Sequence, residues 1–194
     1  MLMDLMEAIV ITGTPGTGKT SGSEAASRML GLDLWHLGEI AKECGALSKD
    51  PDRDTLVINP TKLRKLLGKR LDSGEGCVII EGHYGEIVPK GKVRLALVLR
   101  TDPRVLETRL RSRGYSEEKV RENVEAELLD YCLIKAIESF GEGKVLEIDT
   151  TGLEAERLGE EIASAVKGDK GLKPGSINWM AMLEREGALQ RYLR

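Results

Sequence analysis

The 194-residue chain, 41% hydrophobic and 31% charged, can bury one good core with small inserted segments, so a single domain is expected. A net charge of −3 argues against a protein that holds nucleic acid by phosphate neutralisation alone, since that footprint is basic, and no direct nucleic-acid-binding motif is visible. Cys44, Cys77 and Cys132 are odd in number and lack a C-x-x-C pair, which disfavours disulfides and structural zinc, and the apolar runs are far short of a membrane span. Asp4 and Glu7 stand where a signal peptide carries lysine or arginine, so a reducing, cytoplasmic setting is expected.

The first strand-like run, residues 8–12, leads into Gly13-Thr14-Pro15-Gly16-Thr17-Gly18-Lys19-Thr20. That segment fits G-x-x-x-x-G-K-[ST] in full and opens a helix-like stretch from Ser21. Strand, glycine loop and helix in this order make a cradle for a nucleoside triphosphate. Backbone N–H groups of a loop containing Gly13, Gly16 and Gly18 close on phosphate oxygens, Lys19 supplies a positive charge, and Thr20 offers a hydroxyl to Mg²⁺. A second strand is expected at 32–37. Residues 42–55, with Gly45, Pro51 and a cluster of Asp and Lys, read as a mobile insertion of the kind that closes over substrate. Asn59-Pro60 then starts a helix striped by Leu63, Leu66, Leu67 and Leu71.

The third strand, 77–81, ends in Glu81-Gly82-His83, at the carboxyl edge where an open α/β sheet binds ligands. Glu81 reads as a group in the outer shell of Mg²⁺ or one orienting a water, or else as a solvated strand-end carboxylate. His83 contacts the transferred phosphate or an attacking water, or else is structural. After a fourth strand at 95–99, Asp102-Pro103 opens a helix with Val105, Leu106 and Leu110 inside. Arg109 and Arg113 lie four apart on it, just before the turn Gly114-Tyr115-Ser116. They suit a lid that meets the charge developing in phosphoryl transfer, or else a basic face paired with Glu107 and Glu117. Arg100, Arg104 and Arg111 are expected at the surface.

One long helix is expected over 117–140, a fifth strand over 144–148, and a helix over 153–166 with Leu158, Ile162 and Val166 at four-residue intervals. Between the last two, Asp149-Thr150-Thr151-Gly152 offers backbone groups around Thr151 and Gly152 to a purine ring, or caps the helix at Thr150 or Thr151. The tail is linker-like from Gly168 to Gly175 and then amphipathic, with Ile177, Trp179, Met180, Leu183 and Leu189, a stretch expected to pack on its own domain. Alternating strands and helices imply an α/β fold with a parallel sheet, here of five strands. A base-reading N-K-x-D run is absent, its nearest relic being Asn59-Pro60-Thr61-Lys62, so a GTPase is disfavoured.

Four runs together, ITGTPGTGKT, VIIEGHYG, VLRTDPRVLETRLRSRGYSEEKVRENVEAE and DTTG, resemble the Fap7/CINAP group, the adenylate kinase isoenzyme six family, across 8–166. The resemblance implies a three-layer P-loop NTPase fold of nucleoside monophosphate kinase type, spanning 1–170 with a separate tail at 171–194. It also implies adenylate kinase and ATPase activities with ATP, AMP and Mg²⁺. A role in maturing the small ribosomal subunit and its rRNA, through a small-subunit ribosomal protein partner, belongs to the same family picture. By position, the ATP loop is Gly13, Gly16, Gly18, Lys19, Thr20 and Ser21, the lid is 112–122 with Arg113 touching nucleotide, and the AMP insertion is 36–58 with His36 and Gly38 as acceptor contacts. The family run usually carries aspartate, one residue, then histidine; here Glu81 holds the acid position beside His83, and its extra methylene points to a water-bridged role toward the metal. The tail inherits no role.

Transfer to AMP needs no general base, because an acceptor phosphate is already ionised. A small-metabolite kinase with a hydroxyl acceptor would need a carboxylate, for which Asp33 is the placed candidate. An ATP-driven assembly switch, with hydrolysis at His83 and incidental kinase turnover, is the rival from another class. A bare nucleotide-sensing scaffold is disfavoured by the lid arginines.

Overall fold

A computed structural model describes residues 6–49, 56–169, 171 and 173–192. In chain order the elements are β1 (Glu7–Gly13), α1 (Lys19–Leu30), β2 (Asp33–His36), α2 (Leu37–Glu43), β3 (Leu47–Lys49), β4 (Leu56–Ile58), α3 (Pro60–Asp72) and β5 (Cys77–Glu81). They continue with β6 (Val93–Arg100), α4 (Pro103–Ser112), α5 (Glu117–Leu128), α6 (Tyr131–Phe140), β7 (Val145–Asp149), α7 (Ala155–Lys167) and α8 (Trp179–Arg185).

Five strands form one parallel sheet in the order β2-β5-β1-β6-β7, and β3 pairs antiparallel with β4 beside it. The central strand shows why two helical layers are needed. Ala8 and Val10 point into one core with Leu63, Leu67, Leu133 and Phe140, while Ile9 and Ile11 point into the other with Leu158 and Ile162. On the second face α1 and α7 approach closely. A Cβ built on Gly159 would meet the Ala25 Cβ at 2.5 Å, so a glycine is required there. The sheet is therefore the middle of three layers, and the strand order reverses beside β1, opening a crevice at the carboxyl ends of β1 and its neighbours.

Where sequence and structure differ, a tertiary contact is the reason. The helix expected over 117–140 is broken into α5 and α6 at Asp130, which adopts φ 55°. Aspartate tolerates that left-handed conformation, and the break lets its carboxylate reach Arg100. Arg100 itself is not at the surface. It is 1% exposed, donating from Nε to Glu127 Oε1 at 2.7 Å and from Nη1 to Glu147 Oε1 at 2.6 Å. Arg104 and Arg111 do have exposed side chains, paired respectively with Asp102 and Glu186, and with Glu107 and Glu117.

α7 starts two residues later than expected, with Glu154 at its N-cap. Thr150 and Thr151 do not cap it: the Thr150 hydroxyl donates to the Arg100 carbonyl at 3.0 Å, and Thr151 Oγ1 accepts the Asp102 N–H at 2.9 Å. The insertion expected as a loop over 42–55 contains the end of α2 and the strand β3, while residues 50–55 lie outside the described residues. The amphipathic tail packs on its own chain: Ile177, Trp179 and Leu183 of the α8 region join Leu106, Leu110, Val120, Val124 and Leu128 in a third apolar cluster. Among the described residues no helix is long and apolar enough to cross a membrane.

Candidate active site

The glycine loop lies where β1 hands over to α1, at the carboxyl edge of the sheet. Gly13, Gly16 and Gly18 have φ of 145°, 95° and 88°, values that side chains disfavour, and a Cβ on Gly13 would meet the Leu99 carbonyl oxygen at 2.5 Å. Lys19 donates to the carbonyls of Gly13 at 2.9 Å and Thr14 at 3.0 Å. Burial pushes its pKa below the ordinary lysine value, opposed by the charges of Glu81 and Glu127 among others. An anionic phosphate arriving here would add negative charge that favours the ammonium form.

Glu81 and His36 end neighbouring strands and face each other in register. His36 Nδ1 sits 2.7 Å from Glu81 Oε1, and the Thr20 hydroxyl donates to the same oxygen at 3.5 Å. Thr20, Glu81 and His36 thus converge on one point. Among the described residues no group of three His, Cys, Asp or Glu side chains can hold a metal by itself. The donor set at that point, one hydroxyl and one carboxylate, fits Mg²⁺, which keeps waters and takes its remaining oxygens from phosphate. Gly38 lies in the first turn of α2, where a Cβ would meet nothing within 4 Å.

His83 follows β5, its Nδ1 lying 3.1 Å from the Gly13 carbonyl and 3.8 Å from the Cys132 sulfur. A carbonyl only accepts, so Nδ1 carries the proton and Nε2 keeps a free lone pair. Burial lowers its pKa, which keeps the ring neutral near pH 7. The buried Cys132 thiol has its pKa pushed up to about 11, chiefly by burial, and is correspondingly inert.

The arginines reach the loop from α4. Arg109 donates to the Gly16 carbonyl at 3.3 Å and to the Thr150 carbonyl at 3.2 Å, so it bridges the phosphate loop and the turn after β7. Thr151 and Gly152 lie in that turn, Gly152 with φ 70° and open space where a Cβ would be. Arg113 ends α4, close enough for its charge to depress the pKa of both Arg109 and Lys19. Among the described residues neither Arg109 nor Arg113 pairs with Glu107 or Glu117; Arg111 pairs with both, and Arg191 with Glu107. Arg113 and Tyr115 wall a cleft of about 320 Å³ whose floor is Gly16, Gly18, Lys19, Thr20 and Ser21. The Ser21 hydroxyl donates to the Gly18 carbonyl at 3.2 Å.

Tyr115 in this wall, and the pairing of His36 with Glu81, were not readable from spacing. A tyrosine in a turn and a histidine 45 residues from a glutamate carry no local pattern. Asp33, the candidate base for a hydroxyl acceptor, is at the wrong end of its strand. It pairs with Val78 at the start of β5, about 10 Å along the strand from His36 at a rise of roughly 3.3 Å per residue.

A family model described as an AAA domain matches residues 9–130. Two archaeal proteins bearing the name "Putative adenylate kinase" are similar over most of both chains. That of Archaeoglobus fulgidus is 40% identical over 180 residues, covering 91% of this chain and 93% of its own. The one from Methanocaldococcus jannaschii is 37% identical over 172 residues, covering 88% and 92%. Solved structures share the fold at low identity. Thymidylate kinase from Candida albicans superposes with a TM-score of 0.56 at 14% identity, covering 85% of this chain and 92% of that one. Shikimate kinase from Acinetobacter baumannii gives 0.54 at 20%, covering 85% and 95%.

Proposed function

The chain belongs to the AAA domain family and to the P-loop nucleotide kinases that its archaeal relatives represent, and on that premise we propose that it transfers the γ-phosphoryl group of ATP to AMP, giving two ADP. The observation that carries this reading is the Thr20–Glu81–His36 junction, which joins the end of the phosphate loop to the start of the 36–58 segment where the acceptor would bind. Lys19, freed from the Gly13 and Thr14 carbonyls, follows the transferred phosphoryl group, and Arg109 and Arg113 face the charge that spreads over its equatorial oxygens. Thr20 and, in a water-bridged role, Glu81 would hold Mg²⁺, which would supply neutralisation of the polyphosphate. The AMP phosphate attacks as an anion, so no base is needed, and the remote position of Asp33 speaks against a hydroxyl acceptor. Segment 112–122 serves as the lid, Thr151 and Gly152 receive the donor purine, and His36, Gly38 and His83 contact the acceptor side.

One observation favours ATP hydrolysis as a second activity of the same site. His83 is held neutral with Nε2 unprotonated, the form able to accept a proton from water. The motif runs resembling the isoenzyme six family support a cytoplasmic protein that acts on the small ribosomal subunit with a ribosomal protein, and the net charge of −3 suits a basic partner. ADP formation from ATP, measured with and without AMP, tests the kinase reading. A rate that AMP leaves unchanged overturns it. Capture of a small-subunit ribosomal protein from extract tests the partner.

A further inference from the structure

Behind the phosphate loop, on the side away from the cleft, lies a buried carboxylate with no role so far. Glu127 is 1% exposed on α5, and both its carboxylate oxygens accept hydrogen bonds. Its Oε2 accepts the Thr14 hydroxyl at 2.7 Å. Oε1 accepts Arg100 Nε at 2.7 Å, the Thr101 N–H at 3.2 Å and the Trp179 indole N–H at 3.0 Å. Thr14 is a loop residue, fully buried, whose carbonyl accepts both Lys19 Nζ at 3.0 Å and the Thr17 hydroxyl at 2.9 Å. Trp179 belongs to the tail. A chain of contacts therefore runs from the tail to the loop lysine through one carboxylate.

The tail touches this cluster twice. Arg100 is held by Glu127, Glu147 and Asp130, and Glu147 Oε2 accepts the Ser176 N–H at 3.0 Å. Both fully buried carboxylates on Arg100 thus take a donor from residues 176–179. Packing alone does not call for that arrangement, because the apolar cluster with Leu106, Val120 and Leu128 already seats this segment. A buried indole N–H needs a partner, and here the partner is the carboxylate that grips the loop.

We propose that Glu127 is a positioning residue for the phosphate loop, set in place by Trp179, so that the segment 173–192 is a working part of the ATP site. This rests on the loop being the ATP-binding element, as the kinase reading has it. Loss of one donor lets the carboxylate rotate toward Arg100, and Thr14 loses the acceptor that fixes the loop's first turn. The effect falls on ATP more than on AMP: among the described residues no hydrogen bond or ion pair joins Glu127 to His36 or α2, and His83 meets the cluster only through long contacts of the Cys132 sulfur, 3.9 Å from the Thr14 hydroxyl and 3.8 Å from His83 Nδ1.

The test is a titration of Mg²⁺ and a non-hydrolysable ATP analogue into the full chain, as wild type, Trp179→Phe, Thr14→Val and the double variant, together with KM values for ATP and AMP. Each single variant is expected to weaken analogue binding by about 2- to 30-fold and to raise KM for ATP more than for AMP. The double variant should bind no worse than the weaker single, because both act on one link, and Thr14→Ser should restore binding. Wild-type analogue affinity in Trp179→Phe, or losses that multiply in the double variant, would overturn the proposal. If Trp179→Phe does not fold, benzothienylalanine at position 179 keeps the ring and removes only the N–H, and is read the same way. Should the wild type bind the analogue yet make no AMP-dependent ADP, the kinase reading fails while this result stands.

Discussion

The front and the back of the phosphate loop are built in opposite ways. At the front, eight consecutive residues carry nearly everything: three glycines with positive φ, a lysine and a threonine at the mouth of α1. At the back, Arg100, Glu127, Asp130, Glu147 and Trp179 come from four elements and a turn between helices, and meet in a buried ionic cluster. On the proposed reading the front is built for chemistry, whereas the back holds charges out of water and is stable only when complete. Substitutions on the two sides should therefore fail differently.

Glu127→Ala tests the back most severely. It leaves Arg100 short of its buried partner and should cost about 3–5 kcal/mol in denaturant unfolding. An unchanged midpoint would break the division. At the front, Lys19→Ala should lower turnover by about 10²- to 10³-fold, or roughly 2.7–4 kcal/mol of barrier, without lowering the unfolding temperature. Burial already penalises that ammonium in the folded chain, so its removal relieves the fold. Asp130→Asn, which keeps a residue tolerant of φ 55° but drops a charge from a part-exposed partner, should cost about 1 kcal/mol.

The histidine beside the loop predicts a pH effect. His83 has a lowered pKa in the folded chain, so as pH falls below about 6.5 the unfolded chain binds the extra proton first and stability declines. His83→Gln should flatten that acid limb of the stability profile, and a limb of unchanged slope would show that the buried ring is not its source. The smallest effect belongs to the tail's outer tie. Arg191→Ala, which removes an ion pair to Glu107 with the arginine 61% exposed, should change stability by less than about 1 kcal/mol. A large loss there would mean that the tail is held from outside rather than through Trp179.

The same contrast explains what the sequence let one see. Strand and loop at the front follow local rules. Alternation marked each strand of the sheet within a residue or two, and the Asn59 cap and Pro103 start sit where turn chemistry puts them. The positions of Thr20 and Glu81 at one sheet edge follow from strand polarity alone. The back obeys no local rule. Arg100 looked like one of several surface arginines, and Glu127 like one more glutamate on an acidic helix, because the partners that bury them are 26 to 113 residues away. No glycine or proline marked the break at Asp130, whose cause is an ion pair with a strand. Thr150 and Thr151 looked like caps and are spent instead on β6 and the turn after it, toward Thr101 and Asp102.

The proposed reaction is tested most directly by where one phosphoryl group goes. With ATP labelled at the γ-position and unlabelled AMP, the protein should place the label in the β-position of newly formed ADP. Label that appears as inorganic phosphate at the same rate with or without AMP would contradict it.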